Sequence, residues 1–302
     1  MNRTENQFSR RRFLKSAAGA LAGLTLTQTL AQAAIVGLDG PAYSLPLGVC
    51  TGYDKAALLK KLGYTFVEES VGKFLIPDAG DEQYAKNQLA LKTENMPVRS
   101  YIYFFPGNLK SVGPDLHHDA ILQRADLALR RAKECDSKQI VFGSGGSRSI
   151  PDGFDRAKAK AQHIELCQKM APLAEKHGVT LAVEPLNRSE TNFINSLAEG
   201  VEIIQAVNNP WFRLQCDIYH MLKDSESPDE IVKYGNYISH CHIAEKRNRT
   251  APGVEGDDFR PYFRALKQIK YAGGLSLECR WKDFDSEIAR GIEVVTKQLA
   301  EV

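Results

Sequence analysis

The sequence predicts a single (β/α)8 barrel, and three observations carry that reading. Eight short β-rich runs alternate with longer amphipathic ones over about 270 residues, the length and rhythm of this α/β architecture. The first run, Leu47-Gly48-Val49-Cys50-Thr51-Gly52, lacks the G-x-G-x-x-G turn that a doubly wound sheet would show there. The last four runs each end on a residue able to do chemistry, Glu184, Asp217, His242 and Glu278, and a barrel brings strand ends to one mouth.

Residues 1–33 precede this pattern and differ from it. Ser9-Arg10-Arg11-Arg12-Phe13-Leu14-Lys15 leads into a weakly apolar Ala/Leu/Thr/Gly run closing on Ala31-Gln32-Ala33, the pattern of a twin-arginine signal peptide. The apolar run from Ala17 to Leu30 is too short and too rich in threonine for a membrane anchor. Export to the periplasm is therefore expected, with cleavage after Ala33 leaving residues 34–302 as one barrel domain. The leader holds Arg3, Arg10, Arg11, Arg12 and Lys15 against Glu5. Taking these from 39 basic and 37 acidic residues leaves 34 and 36, a near-neutral domain. Such a balance, without a basic stripe, gives little counterion-release affinity for nucleic acid. No later run is apolar enough for membrane insertion after cleavage.

The predicted strands are Leu47–Thr51, Phe66–Val71, Val98–Phe104, Gln139–Gly143, Thr180–Glu184, Arg213–Asp217, Ser239–His242 and Leu275–Glu278. Helices are predicted over Asp54–Leu62, with an N-cap Asp and a stop at Gly63, and over 119–133. A third, over 154–177, ends at the C-terminal glycine Gly178 and is expected to kink at Pro172. Two more cover 259–271 and 283–299. Cys50, Cys135, Cys167, Cys216, Cys241 and Cys279 are too sparse for a disulfide scaffold. Three of them neighbour the strand-end residues, so alternation turns them away as packing thiols.

The carboxylate of Glu184 ends a run, Leu181-Ala182-Val183-Glu184, that breaks at Pro185. Alternation puts Glu184 on the inner face with Ala182, a costly place for a charge without a partner. Three carboxylates and an imidazole converging on one point would repel one another unless a cation sits between them. Three oxygen ligands and one nitrogen suit a fairly hard divalent ion, Mn²⁺, Mg²⁺ or Co²⁺, with Mn²⁺ favoured. His240 shares a strand face with His242 and reads as a hydrogen-bonded neighbour one layer down; His117, His118 and His163 read as surface residues. Gly143-Ser144-Gly145-Gly146-Ser147-Arg148 reads as a tight strand-to-helix turn at the rim rather than a phosphate cradle. Among Tyr101, Tyr103, Phe104, Phe105, Trp211, Trp281 and Phe284, packing accounts for most, and a pocket-lining role for a minority. Glu68 and Glu69 end the second strand; only one can face inward.

The segments Glu184-Pro-Leu-Asn-Arg188, Cys216-Asp217-Ile-Tyr-His220, His242-Ile-Ala-Glu245 and Leu277-Glu278 resemble the motifs of the sugar phosphate isomerase/epimerase family, the xylose isomerase-like TIM barrels. Within it they are most similar to the D-tagatose/D-psicose 3-epimerase branch. That resemblance implies that Glu184, Asp217, His242 and Glu278 hold the metal, with Glu184 and Glu278 also the catalytic acid/base pair. It implies that His220 and Glu190 bind substrate hydroxyls. The loop Lys246-Arg247-Asn248-Arg249 is one residue longer than the family's, so Arg249 and Arg247 compete for the substrate-binding arginine. The implied reaction abstracts a proton beside a metal-bound carbonyl, through a cis-enediolate, on a free ketose or keto-sugar derivative. Two further functions stay open: a lyase acting on a 3-keto-glycoside or keto-cyclitol through the same enolate, and a non-catalytic sugar-binding barrel. The partner in each is a small carbohydrate, and assembly as a homo-oligomer is compatible with all three.

Overall fold

A computed structural model describes residues 42–302; the twin-arginine leader expected over residues 1–33 lies outside them. The chain runs β1 (Leu47–Cys50), α1 (Ala56–Leu62), β2 (Phe66–Ser70), α2 (Asp81–Glu94), β3 (Val98–Ile102), α3 (His118–Glu134), β4 (Gln139–Phe142), α4 (Gly145–Arg148) and α5 (Arg156–His177). It continues through β5 (Thr180–Val183), α6 (Leu197–Val207), β6 (Phe212–Asp217), α7 (Ile218–Asp224), α8 (Asp229–Tyr234), β7 (Ile238–Ile243), α9 (Arg260–Gln268), β8 (Leu275–Leu277) and α10 (Phe284–Ala300). All eight strands are parallel and close in sequence order, β8 returning to β1, so this is a single (β/α)8 barrel. Among the described residues no helix is long and apolar enough to cross a membrane.

The predicted strands lie where expected, with ends shifted by one or two residues. Glu184 and Glu278 fall just past β5 and β8, because Pro185 has no N–H to extend the ladder and β8 is only three residues long. Helix α5 continues across Pro172 and is capped by Asp155, whose carboxylate accepts from the Lys158 N–H, and by Gly178 at φ +67°. Helix α2 was not singled out by its sequence, since only Tyr84 is buried along its 14 residues.

The two faces of the sheet have opposite chemistry. Outward-facing Leu47, Val49, Val67, Tyr101, Leu181, Val183, Leu214, Cys216, Cys241, Ile243, Leu275 and Leu277 pack beneath the helices in one buried apolar layer. Burying each large side chain there contributes about 1.5–3 kcal/mol. The lumen instead holds Glu68, Ser100, Gln215, His240, His242 and Ser276, all essentially without solvent exposure. A register shift at Leu214/Gln215 in the β6–β7 pairing places Asp217 beside His242 on adjacent strands. The apolar layer makes the scaffold rigid, and the polar lumen feeds into its C-terminal mouth.

All six cysteines are free thiols. Cys216 and Cys241 are packed under the helices, with the Cys216 Sγ 3.7 Å from the Met221 Sδ. Cys50 departs from that pattern: it ends β1 facing inward, its Sγ 3.9 Å from the His242 Nε2. The expectation of a surface position for His163 is overturned. It is fully buried on the inner face of α5, between Phe142 and Phe193, with its Nδ1 3.3 Å from the Ser111 Oγ.

Candidate metal centre

Glu184, Asp217, His242 and Glu278 meet at the mouth, each offering a ligand atom within 4.8 Å of the others. The His242 Nδ1 lies 3.4 Å from the Glu184 Oε1 and 3.0 Å from the Glu278 Oε2, so the two glutamates flank the imidazole. Asp217 also caps α7 by accepting from the Tyr219 N–H through Oδ1, which leaves Oδ2 turned into the site. The Glu184 Oε1 is buried without a hydrogen-bond partner, a costly condition for a carboxylate oxygen.

Electrostatics make this a trap for positive charge. Burial raises the pKa of Glu184, and the neighbouring Glu278 pushes the same way. Burial opposes ionisation of Glu278 too, yet the Arg249 guanidinium and His242 overcome it and hold that carboxyl at about 2. His242 is driven well above the ordinary imidazole range although burial opposes its charge, chiefly by Glu68. A cluster that draws a proton so strongly, with one orphaned carboxylate oxygen and an O3N donor set, fits a hard divalent cation.

Residues beneath the cluster fix its geometry. Glu68 is the inward-facing glutamate of β2: its Oε1 accepts from the His242 Nε2 at 3.0 Å, and its Oε2 accepts from the His240 Nε2 at 2.7 Å and from the Ser276 hydroxyl. That pairing turns the lone pair of the His242 Nδ1 toward Glu184 and Glu278. A β-carbon on Gly143 would sit 2.1 Å from the Glu184 Oε2, so the carboxylate occupies space that any other residue there would fill. Arg148, fully buried, donates to the carbonyls of Phe142, Glu184, Phe193 and Ile194, tying the end of β4 to β5. The turn 143–148 is thus filled by an arginine of its own.

The residues expected to bind substrate divide into two groups. The His220 Nδ1 accepts from the backbone N–H of Asn187, which leaves its Nε2–H directed inward, 3.3 Å from the Asp217 Oδ2. Glu190 accepts from the Asn187 side chain at 3.0 Å and lies 3.5 Å from the Arg249 Nη1. Arg249 reaches Asp217 and Glu278 through Nη2 and lies over the Tyr219 ring, 4.6 Å from its centroid. Arg247 does not enter: its side chain is 75% exposed and pairs with Glu255. Glu245 explains the difference. Fully buried, it accepts from the backbone N–H groups of Gly253, Glu255, Gly256 and Asp257 and from the Thr250 hydroxyl, winding the long loop so that Arg249 is the arginine carried inward. Ile102, Tyr103, Phe105, Leu186, His220 and Arg249 are among the walls of a cavity of about 240 Å³ above Glu184 and Glu278. Tyr101 and Phe104 belong to the core, and Trp281 packs on Phe284 with centroids 5.0 Å apart.

Sequence reasoning left Glu68, Gly143, Arg148, Asn187 and Glu245 without a site role. The signal for Glu68 was the doubled glutamate at a strand end; for Glu245, its place three residues past His242.

Residues 56–298 match the family described as the xylose isomerase-like TIM barrel, and the chain belongs to that family. It is similar to an L-ribulose 3-epimerase from Methylomonas sp., 30% identical over 180 residues that cover 56% of this chain and 59% of the relative. It is also similar to a putative hydroxypyruvate isomerase from Danio rerio, 29% identical over 184 residues, 58% of this chain and 64% of the relative. The matches therefore span about three-fifths of these curated relatives. Among solved structures, 3-keto-D-glucoside 4-epimerase from E. coli superposes with a TM-score of 0.72 over 83% of this chain and 98% of that one, at 19% identity, a likeness of fold.

Proposed function

We propose that the protein is a metal-dependent sugar epimerase or isomerase that moves a proton on the carbon beside a carbonyl. The observation that carries this reading is the pair Glu184 and Glu278 flanking the His242 Nδ1 at 3.4 and 3.0 Å. Two carboxylates on opposite sides of one reacting carbon are what removal and return of a proton on different faces require. Relatives named as epimerases and isomerases support the same class.

Glu184, Asp217, His242 and Glu278 would hold the ion, with Mn²⁺ favoured. When bound, the ion supplies Lewis acidity, stabilising the negative charge left when the C–H bond is broken. One glutamate takes the proton and the other returns it. The His220 Nε2–H donates to a substrate oxygen, Arg249 balances the charge of the site, and Glu190 receives a hydroxyl. Burial and the unlike surroundings of the two glutamates divide their basicity, which suits an acid and a base working together. The twin-arginine leader adds export to this proposal, and cell fractionation of the tagged protein tests it.

The decisive experiment incubates Mn²⁺-loaded protein in deuterated water with a panel of free ketoses and 3-keto-glucosides. Deuterium entering beside the carbonyl, with the carbon skeleton and every substituent retained, is the expected result. Loss of water or of an aglycone would identify a lyase. No exchange on any member of the panel would sink the catalytic reading and leave a sugar-binding barrel.

A further inference from the structure

Tyr103 directly follows β3 at the barrel mouth with φ +57°, in the left-handed region that bulky residues rarely adopt. The residue is 65% exposed, although its successors Phe104 and Phe105 are buried and stacked with centroids 3.9 Å apart. The two anchored phenylalanines leave the preceding residue projecting from the rim. A strained backbone of this kind persists only where the surroundings over-determine it, and such residues cluster at ligand-binding positions. An exposed tyrosine ring adds little to packing, so stability does not explain it.

The cavity that Tyr103 borders is about 240 Å³, below the range of drug-sized pockets, and fits a single sugar ring against Glu184, His220, Arg249 and Glu278. Tyr103 stands at the edge of that space together with Phe105 and Gly107. On the same rim the backbones of Gly107 and Gly146 meet so closely that a β-carbon on Gly146 would lie 3.1 Å from the Gly107 Cα. The result is a low glycine rim on the cavity that Tyr103 borders, with the Lys110 ammonium donating to the Gly146 carbonyl at 2.9 Å, and it leaves room for the flat face of a second ring against the tyrosine.

We propose that Tyr103 is a specificity-determining residue that takes the second ring of the substrate, so that the substrate is a glycoside of the reacting keto-sugar rather than a free ketose. The proposal rests on the epimerase reading for the identity of the first ring. It assigns the strain at Tyr103 to recognition.

The test compares Mn²⁺-loaded wild type, Tyr103→Gly and Tyr103→Phe by titration calorimetry with D-fructose and with p-nitrophenyl β-D-glucopyranoside, alongside thermal unfolding. Wild type is expected to bind the aryl glucoside at least about tenfold tighter than D-fructose, a margin within reach of one aromatic stacking contact. Tyr103→Gly is expected to lose at least about fivefold of that preference while its Tm stays level or rises by up to about 2 °C, because glycine accepts the left-handed backbone freely. Tyr103→Phe keeps the preference. A Gly variant that retains it, a fall in Tm of more than about 4 °C, or a wild type that does not bind the glucoside overturns the proposal. Failure of the epimerase reading looks different: no deuterium exchange anywhere in the panel, with the glucoside preference intact.

Discussion

The Glu68 carboxylate lies 3.0 Å from the Nε2 of His242, and this contact decides which ring nitrogen faces the ligand cluster. The two residues are 174 positions apart and meet only because β2 and β7 share the lumen. Removing such a support from a metal-binding histidine typically costs 10–100-fold in affinity. Glu68→Gln is therefore expected to weaken Mn²⁺ binding by about that factor, read by calorimetric titration. Unchanged affinity would show that His242 holds its orientation without Glu68.

Glu278→Gln keeps the shape of the side chain and one ligand oxygen but removes the carboxylate needed for proton transfer. The variant is expected to fold, to bind Mn²⁺ more weakly, and to exchange substrate protons at least about a hundredfold more slowly. Exchange at the wild-type rate would exclude the two-glutamate mechanism.

Stripping the ion should be visible in stability alone. A cation held at a hundred times its Kd stabilises the folded state by about 2.7 kcal/mol, which for a chain of this size corresponds to roughly 5–10 °C in Tm. Chelation should lower Tm by that amount and Mn²⁺ should restore it. A Tm indifferent to both would argue against a metal at Glu184, Asp217, His242 and Glu278.

Arg249 and Arg247 offer an internal control. Arg249→Ala removes the cation beside Asp217 and Glu278 and should lower kcat/KM by at least about tenfold, the cost of one charged contact. Arg247→Ala removes an exposed pair with Glu255 and should change stability by less than about 0.5 kcal/mol, with turnover retained. The reverse pattern would mean that the loop turns its other arginine inward in solution.

Glu69, on the outward face of β2, has its carboxyl pushed up to about 7 by burial. A raised folded pKa means that the folded state keeps a proton the unfolded chain has lost. The contribution is complete below the unfolded value near 4.5 and disappears as pH rises toward 7. Stability should fall across that window, and Glu69→Gln should flatten the fall in denaturant titrations at several pH values. An identical slope in the variant would assign the effect to another group.

The barrel was legible because its strands alternate with amphipathic helices, and the four converging residues because each closes a strand. The second tier was not. Choosing between Glu68 and Glu69 needs the strand's phase, which tertiary pairing sets: on β1 the inward-facing Cys50 lies opposite Glu68. Choosing between Arg247 and Arg249 depends on Asn248 and Arg249 both adopting positive φ, 57° and 56°, in a loop wound around Glu245. His163 was misplaced because one histidine in a polar helix gives no hint that Phe142 and Phe193 close over it. Local pattern reaches the strand ends; which neighbour turns inward is decided by contacts distant in the chain.

Glu245 gathers the amides of its loop onto one buried carboxylate, so the rim segment carries its own anchor in addition to the Arg249 contacts with Asp217 and Glu278. The loop thereby works as a self-supporting bracket, its inner carboxylate setting how far the Arg249 guanidinium reaches over the cavity.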